Sequence, residues 1–191
     1  MILVIDNYEK SYMGQLRSLL KKNGVRYKIK DFRKVSMRDT KDVDAIILSG
    51  GAGISNNPYF PEFSKEADLI KKFRKPILGI CLGFEIICHA YESESTETKI
   101  FSHLERGIFR IKIRKKDDIF KGCPKIMKVF DCHRWSFIRA SKKLEVLATS
   151  RDGIEAVKHR TKPIYGVQFH PEVTWNNQGY MAFENFLKMV S

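Results

Sequence analysis

The stretch Lys75-Pro76-Ile77-Leu78-Gly79-Ile80-Cys81-Leu82-Gly83-Phe84-Glu85 decides the fold. A short apolar run follows a proline, one cysteine stands between two glycines, and an amphipathic segment begins at once. A G-x-C-x-G step has the form of a nucleophile elbow, where strand turns into helix so tightly that glycine is needed on either side of the nucleophile. The N–H groups and positive dipole end of the following helix then face the sulfur, which favours thiolate and the binding of an oxyanion. The expectation is a strand over 77–80, a helix after it, and Cys81 at the carboxyl edge of a sheet.

Outward from the elbow, residues 2–5 and 43–48 are continuous apolar runs, as expected of strands covered on both faces. Residues 25–29 suggest another strand. Tyr12, Leu16, Leu19 and Leu20 share one helical face, with Gly24 as its stop. Phe63, Ala67, Ile70 and Arg74 share another, ended by Pro76, and 36–39 reads as a short helical turn. Strand and helix alternate three times, which predicts an α/β three-layer sandwich of flavodoxin-like or Rossmann-like kind, with a mostly parallel central sheet. Ligands gather at the carboxyl ends of such strands, so the loop Ser49-Gly50-Gly51-Ala52-Gly53 should meet Cys81 there.

The second half reads differently. Residues 91–99 are polar and predict a loop, and 108–114 alternates with period two. Runs at 126–130, 144–149 and 154–158 predict a small antiparallel addition to the same sheet. A last strand over 164–169 ends at His170-Pro171-Glu172, and Phe183, Phe186, Leu187 and Val190 mark a terminal helix.

With 191 residues, 43% hydrophobic and 30% charged, the expectation is one globular domain over 1–191. No apolar run approaches the ~20 residues of a membrane span. The start Met1-Ile2-Leu3-Val4-Ile5-Asp6 lacks a basic leader and a cleavage site, so it reads as a first strand. Cys81, Cys88, Cys123 and Cys132 form no C-x-x-C pair and read as reduced thiols of a cytoplasmic protein. The net charge of +13, concentrated at 71–75 and 110–116, suits either an acidic partner or a solvated lysine-rich surface. No nucleic-acid motif accompanies it, so nucleic acid is not expected as a partner.

A cysteine nucleophile needs a base, and the base needs a group to orient it. His170 and Glu172 are the candidates: residues two apart in extended chain point the same way, and Pro171 fixes the backbone between them. The loop at 49–53 offers backbone N–H groups for an anion, and with Leu82 a second donor for an oxyanion hole. It lacks the lysine and hydroxyl of a phosphate loop. His133, flanked by Phe130 and Trp135, is placed at the mouth of the site or against a partner; His89 and His159 read as structural or solvated. No metal is expected, because no His/Cys/carboxylate set shows ligand spacing, and no cofactor is expected.

Three motifs, Leu48-Ser49-Gly50-Gly51, Gly79-Ile80-Cys81-Leu82-Gly83 and Gly166-Val167-Gln168-Phe169-His170-Pro171-Glu172, together resemble the class I (triad-type) glutamine amidotransferases over nearly the whole chain. Ala156-Val157-Lys158-His159 and Pro163-Ile164-Tyr165-Gly166 add to the likeness. Within that family the pattern looks like the free-standing amidotransferase subunit of archaeal-type GMP synthase, with anthranilate synthase component II a more distant cousin. The resemblance implies hydrolysis of the glutamine side-chain amide through a cysteinyl thioester. Cys81 would attack, His170 would protonate the departing ammonia, and Glu172 would orient His170. Gly51 and Leu82 N–H groups would bind the oxyanion, while Glu85, Gly50 and His133 would lie against the substrate. Ammonia would pass to a separate synthetase subunit.

The chain departs from the family pattern at four places. Glu85 stands for the usual glutamine and Ala52 for the usual proline. Glu92-Ser93-Glu94-Ser95 replaces a Gly-Gly step, and Cys132-His133-Arg134-Trp135 replaces a Ser-His-Asp stretch. As a carboxylate, Glu85 is expected to oppose thiolate formation and to repel the substrate's carboxylate. It leaves open a thiol hydrolase of another gamma-glutamyl amide, or a non-catalytic regulatory subunit on the same scaffold.

Overall fold

The computed structural model describes residues 1–51, 61–92 and 96–190. The first half alternates as expected: β1 (Ile2–Asp6), α1 (Met13–Lys22), β2 (Tyr27–Asp31), β3 (Ala45–Leu48), α2 (Ser64–Lys72), β4 (Ile77–Ile80) and α3 (Leu82–Ala90). Two long strands follow, β5 (Glu97–Ile113) and β6 (Ile126–Arg139). The hairpin β7 (Leu144–Thr149) and β8 (Ile154–His159), then β9 (Ile164–Val167) and α4 (Tyr180–Val190), complete the order.

The strands form one sheet in the order β2-β1-β3-β4-β9-β8-β7-β5-β6. The first five run parallel, an order of 2-1-3-4-5 when β9 is counted as the fifth, which is the flavodoxin-like arrangement. The remaining four are antiparallel. Successive residues of a strand point to opposite faces, which explains the continuous apolar runs. Val4, Ile47 and Leu78 meet Leu16 and Leu20 of α1 and Phe183 and Phe186 of α4 on one side. Leu3, Ile46 and Ile77 meet Ile70 of α2 and Ile86 and Ile87 of α3 on the other.

The antiparallel half is larger than the sequence suggested. The polar segment expected as a loop up to residue 99 already belongs to β5 from Glu97, and β6 runs nine residues past Phe130. The reason lies in β6 itself. Its buried positions alternate through Met127, Val129, Asp131 and His133, so the period of two continues while the inward side chains turn polar. Backbone pairing does not depend on that polarity: Asp131 and His133 stand opposite Gly107 and Glu105 of β5. Smaller differences are that α2 ends at Lys72, short of Arg74, and β9 at Val167, short of Phe169. No helix among the described residues is long and apolar enough to cross a membrane.

Candidate active site

β4 ends between β3 and β9, and α3 starts two residues later, so Cys81 alone makes the turn. Its backbone sits at φ +49° and ψ −107°, a conformation that costs a non-glycine residue about 1–3 kcal/mol. Hydrogen bonds hold it there, from Cys81 N–H to the Val167 carbonyl at 2.9 Å and from Glu85 N–H to the Cys81 carbonyl at 3.0 Å. The flanking glycines are needed, as their spacing suggested, and the need is one of space, since neither has positive φ. A Cβ on Gly83 would lie 2.5 Å from the Leu48 carbonyl oxygen, and one on Gly79 would lie 2.5 Å from that of Gly83. They let the first turn of α3 rest directly on β3 and β4, while the strain sits on the cysteine.

The Cys81 thiol is buried, directs its S–H at the Cys132 carbonyl 3.6 Å away, and faces Gln168 Nε2 at 3.9 Å. Burial, followed by the nearby Glu85, Glu9, Cys132 and Glu172, pushes it well above the ordinary thiol range. The pull of the helix toward thiolate is therefore outweighed. A helix N-terminus contributes about 0.3–1 kcal/mol, less than burial beside several acidic groups takes away. The sulfur keeps its proton until a base removes it.

The candidate base has a carboxyl group in reach. His170 Nδ1 lies 2.8 Å from Glu172 Oε1, and both residues are buried. A turn, rather than an extended chain, brings them together: Val173 N–H bonds the His170 carbonyl at 3.3 Å, and Asn177 Nδ2 donates to the same carbonyl at 2.7 Å. The Tyr12 ring packs 4.7 Å from the imidazole, centroid to centroid. Burial by itself would lower His170, but the charge and hydrogen bond of Glu172, with help from Glu9 and the Cys132 carbonyl, outweigh it and raise it above its usual value. The Cys132 carbonyl that takes the Cys81 S–H thus also bears on His170.

The loop after β3 completes the edge. Ser49 is fixed by Asn7, whose N–H donates to Ser49 Oγ at 2.9 Å and whose Nδ2 donates to the Ser49 carbonyl at 3.1 Å. Asn7 Nδ2 also reaches Glu66 Oε1 at 3.3 Å, and burial pushes Glu66 up to about 8. A Cβ on Gly51 would lie 2.3 Å from Leu82 Cδ2 and 2.7 Å from the Asn7 carbonyl oxygen, so Gly51 presses onto the start of α3. A Cβ on Gly50 would lie 2.5 Å from Glu9 Oε2 and 2.9 Å from His170 Cε1. Gly50 therefore makes room for the base, and it is not among the residues lining the cavity over Cys81. Ala52, Gly53 and the departures at Ser93, Glu94 and Ser95 lie outside the described residues.

Glu85 is buried and accepts a hydrogen bond from Gln168 Nε2 at 3.2 Å. Burial pushes it up to about 8, with the Gln168 bond pulling partly the other way. At neutral pH it is mostly a neutral acid, close in shape to the glutamine it replaces. The opposition expected of a fixed carboxylate applies only above about pH 8.

Gly51, Cys81, Leu82, Glu85, Cys132, His133, Arg134 and Trp135 line a cavity of about 10 Å³ over the sulfur. That holds about one water, so the cavity in this conformation is too small for an amino-acid substrate. A cleft of about 730 Å³ at 113–125 shares no residue with it and brings no part of the Cys-His-Glu set together. His133 borders the cavity as expected, but its Nδ1 is engaged with the Trp135 carbonyl at 2.7 Å. His89 pairs with Glu92 at 2.8 Å, and His159 Nδ1 accepts the N–H groups of Thr161 and Lys162 at 3.2 Å, both structural uses. Sequence reasoning assigns no part to Glu9, Tyr12 or the Cys132 carbonyl. Gln168 stands inside one of the three motifs, yet its polar side chain there gives no sign that it would face both Cys81 and Glu85.

The chain is similar to known proteins over nearly its whole length. The glutamine amidotransferase class-I family model matches residues 3–190. The glutamine-hydrolyzing GMP synthase subunit of Methanothermobacter thermautotrophicus is 37% identical over 150 residues, covering 77% of this chain and 75% of that one. Its counterpart from Methanocaldococcus jannaschii is 34% identical over 192 residues, covering 99% and 97%. The crystal structure of a putative GMP synthase subunit from Thermoplasma acidophilum superimposes with a TM-score of 0.86 at 27% identity, covering 99% of this chain and 92% of that one.

Proposed function

This chain belongs to the glutamine amidotransferase class-I family, and from that premise we propose that Cys81, His170 and Glu172 hydrolyse the side-chain amide of glutamine. His170 takes the Sγ proton as sulfur attacks the amide carbon, and the N–H groups of Gly51 and Leu82 receive the oxyanion. The imidazolium returns that proton to the amide nitrogen, the C–N bond breaks, and ammonia leaves a thioester on Cys81. Water, deprotonated by His170, then releases glutamate and restores the thiol. Glu172 holds the ring and stabilises its charged form. Neutral Glu85 contacts the substrate at the cavity wall, and His133 borders it.

The ammonia goes to a separate synthetase subunit. Relatives named as the glutamine-hydrolyzing subunit of GMP synthase support a partner of that kind. Four free cysteines fit a reducing cytoplasmic setting. The observation that carries this reading is the buried His170–Glu172 pair, 2.8 Å apart, with its imidazole influenced by the same Cys132 carbonyl that takes the Cys81 S–H at 3.6 Å. It is tested by following glutamate and ammonia release from glutamine, alone and with a synthetase partner, for the wild type, Cys81→Ala and Glu85→Gln. Turnover that survives in Cys81→Ala contradicts the reading. Turnover found only in Glu85→Gln contradicts glutamine as the substrate.

A further inference from the structure

A polar cluster is buried where β6 meets β8. One ring nitrogen of His133, one oxygen of Asp131 and one of Glu155 lie within 4.8 Å of one another, and the residues are 4%, 2% and 1% exposed. Asp131 Oδ1 and Glu155 Oε2 have no hydrogen-bond partner, although buried polar atoms are nearly always paired. The other Glu155 oxygen accepts the Ser150 hydroxyl at 2.6 Å. The charged groups acting on Asp131 are Glu155, Asp152 and Glu105, all acidic. The nearby Arg151 guanidinium is turned to Asp152 at 3.3 Å and Glu105 at 4.0 Å. The cluster thus has lone pairs and acidic groups in excess and, among these neighbours, no cation of its own.

His133 is held in a fitting way. Its Nδ1 donates to the Trp135 carbonyl at 2.7 Å, which leaves the lone pair of the neutral ring on Nε2. A carbonyl bonded to the far ring nitrogen in this way orients metal-bound histidines.

We infer that Asp131, His133 and Glu155 form a site for one divalent first-row transition cation, which fastens β6 to β8 beside the Cys81 cavity. One imidazole nitrogen with two carboxylate oxygens suits Mn²⁺, Fe²⁺ or Zn²⁺. Donors at ~2.1 Å from one cation sit at most ~4.2 Å apart, so a small side-chain adjustment closes the cluster. Binding displaces any proton the two acids hold. The three residues lie on two strands, so their spacing along the sequence carries no ligand motif.

The position couples the site to the proposed chemistry without making the cation part of it. Cys132, whose carbonyl meets the Cys81 thiol, stands between two of the ligands. Gln168 N–H bonds the Glu155 carbonyl at 2.9 Å, and His170 N–H bonds the Phe130 carbonyl at 2.8 Å. A cation here stiffens the wall that the Cys81 thiol and the His170 backbone touch.

The test uses the full chain after chelator treatment, titrated calorimetrically with Mn²⁺ and, separately, with Co²⁺ followed by absorption. The expected result is one cation per chain, a raised Tm, and Co²⁺ bands free of intense thiolate-to-metal charge transfer. Asp131→Asn and Glu155→Gln should each weaken Mn²⁺ binding by more than about tenfold, and Cys81→Ala should leave it unchanged. Three results overturn the inference: no saturable binding, equal binding by the Asp131→Asn, Glu155→Gln double variant, or a thiolate charge-transfer band that disappears in Cys81→Ala. Should the acid variants fail to fold, the wild-type Co²⁺ spectrum decides.

Discussion

The two halves of the sheet hold their polar groups in opposite ways. In the parallel half the inner strands β1, β3, β4 and β9 are mainly apolar, and the candidate site residues stand just beyond their carboxyl ends: Gly51 after β3, Cys81 after β4, His170 and Glu172 after β9. In the antiparallel half the polar groups stand inside the strands, with Asp131 and His133 in β6 and Glu155 in β8. The first arrangement leaves the core intact and lets tight backbone contacts place the chemistry. The second puts ionisable groups within the packed layer, where each must find a partner. The proposed nucleophile and base therefore stand on a closely packed platform, while the wall beside them holds buried polar groups.

The two halves should differ most in turnover. Cys81→Ala is expected to lower glutamine hydrolysis by a factor on the order of 10⁴ or more, and His170→Ala by a similar factor. Asp131→Asn in the wall should change it by less than about tenfold. Steady-state glutamate release measures both, and equal losses would erase the distinction.

Backbone contact comes next. Gly83→Ala drives a Cβ against the Leu48 carbonyl, and overpacking of this kind costs about 1–3 kcal/mol. Gly14, within α1, has nothing within 4 Å of a Cβ built on it, so Gly14→Ala should stabilise by about 0.5–1 kcal/mol. Thermal unfolding of the two variants should move in opposite directions. A shift of the same sign would show that the platform is less tightly fitted than described.

Proton linkage reaches into both halves. Burial raises Glu66 and Glu85 to about 8 in the parallel half and Glu155 to about 7 in the antiparallel half. The folded chain therefore holds protons that the unfolded chain releases near pH 4.5. The stability these groups contribute is fully present below that pH and is lost as pH rises through 7 to 8. His170, raised in the fold, acts in the same direction. Tm should fall between pH 6 and pH 8.5, and Glu66→Gln should flatten the fall by a few degrees. A Tm that rises over this range contradicts the assignment.

The smallest effect expected is at Glu85. Once ionised it adds charge beside the sulfur, so wild-type kcat/KM should decline above about pH 8. Glu85→Gln should lack that decline and exceed its own pH 7 ratio to wild type severalfold at pH 9. Parallel pH profiles would remove Glu85 from the titration.

Legibility in the sequence follows the same division. Residues 2–5, 43–48 and 77–80 can be read as buried strands because every residue in a parallel strand faces a covering helix. Cys81 and the His170-Pro171-Glu172 step are visible because glycine and proline mark the ends of those strands. β6 is readable only as far as Phe130, since its inward face continues with Asp131 and His133 and loses the apolar signal. The Cys132 carbonyl, which takes the Cys81 S–H, has no side-chain signature at all. The protonation of Glu85 depends on burial, which a single sequence does not display.

Covalent capture reads the proposed nucleophile itself. The chain is mixed with carbon-labelled glutamine, quenched in acid during turnover, digested, and the label is located by mass spectrometry. The expected result is a glutamyl thioester on the peptide holding Cys81, absent in Cys81→Ala and slower to form in Glu172→Gln. Glutamate release with no labelled Cys81 peptide, or with label on another residue, would contradict the assignment of Cys81.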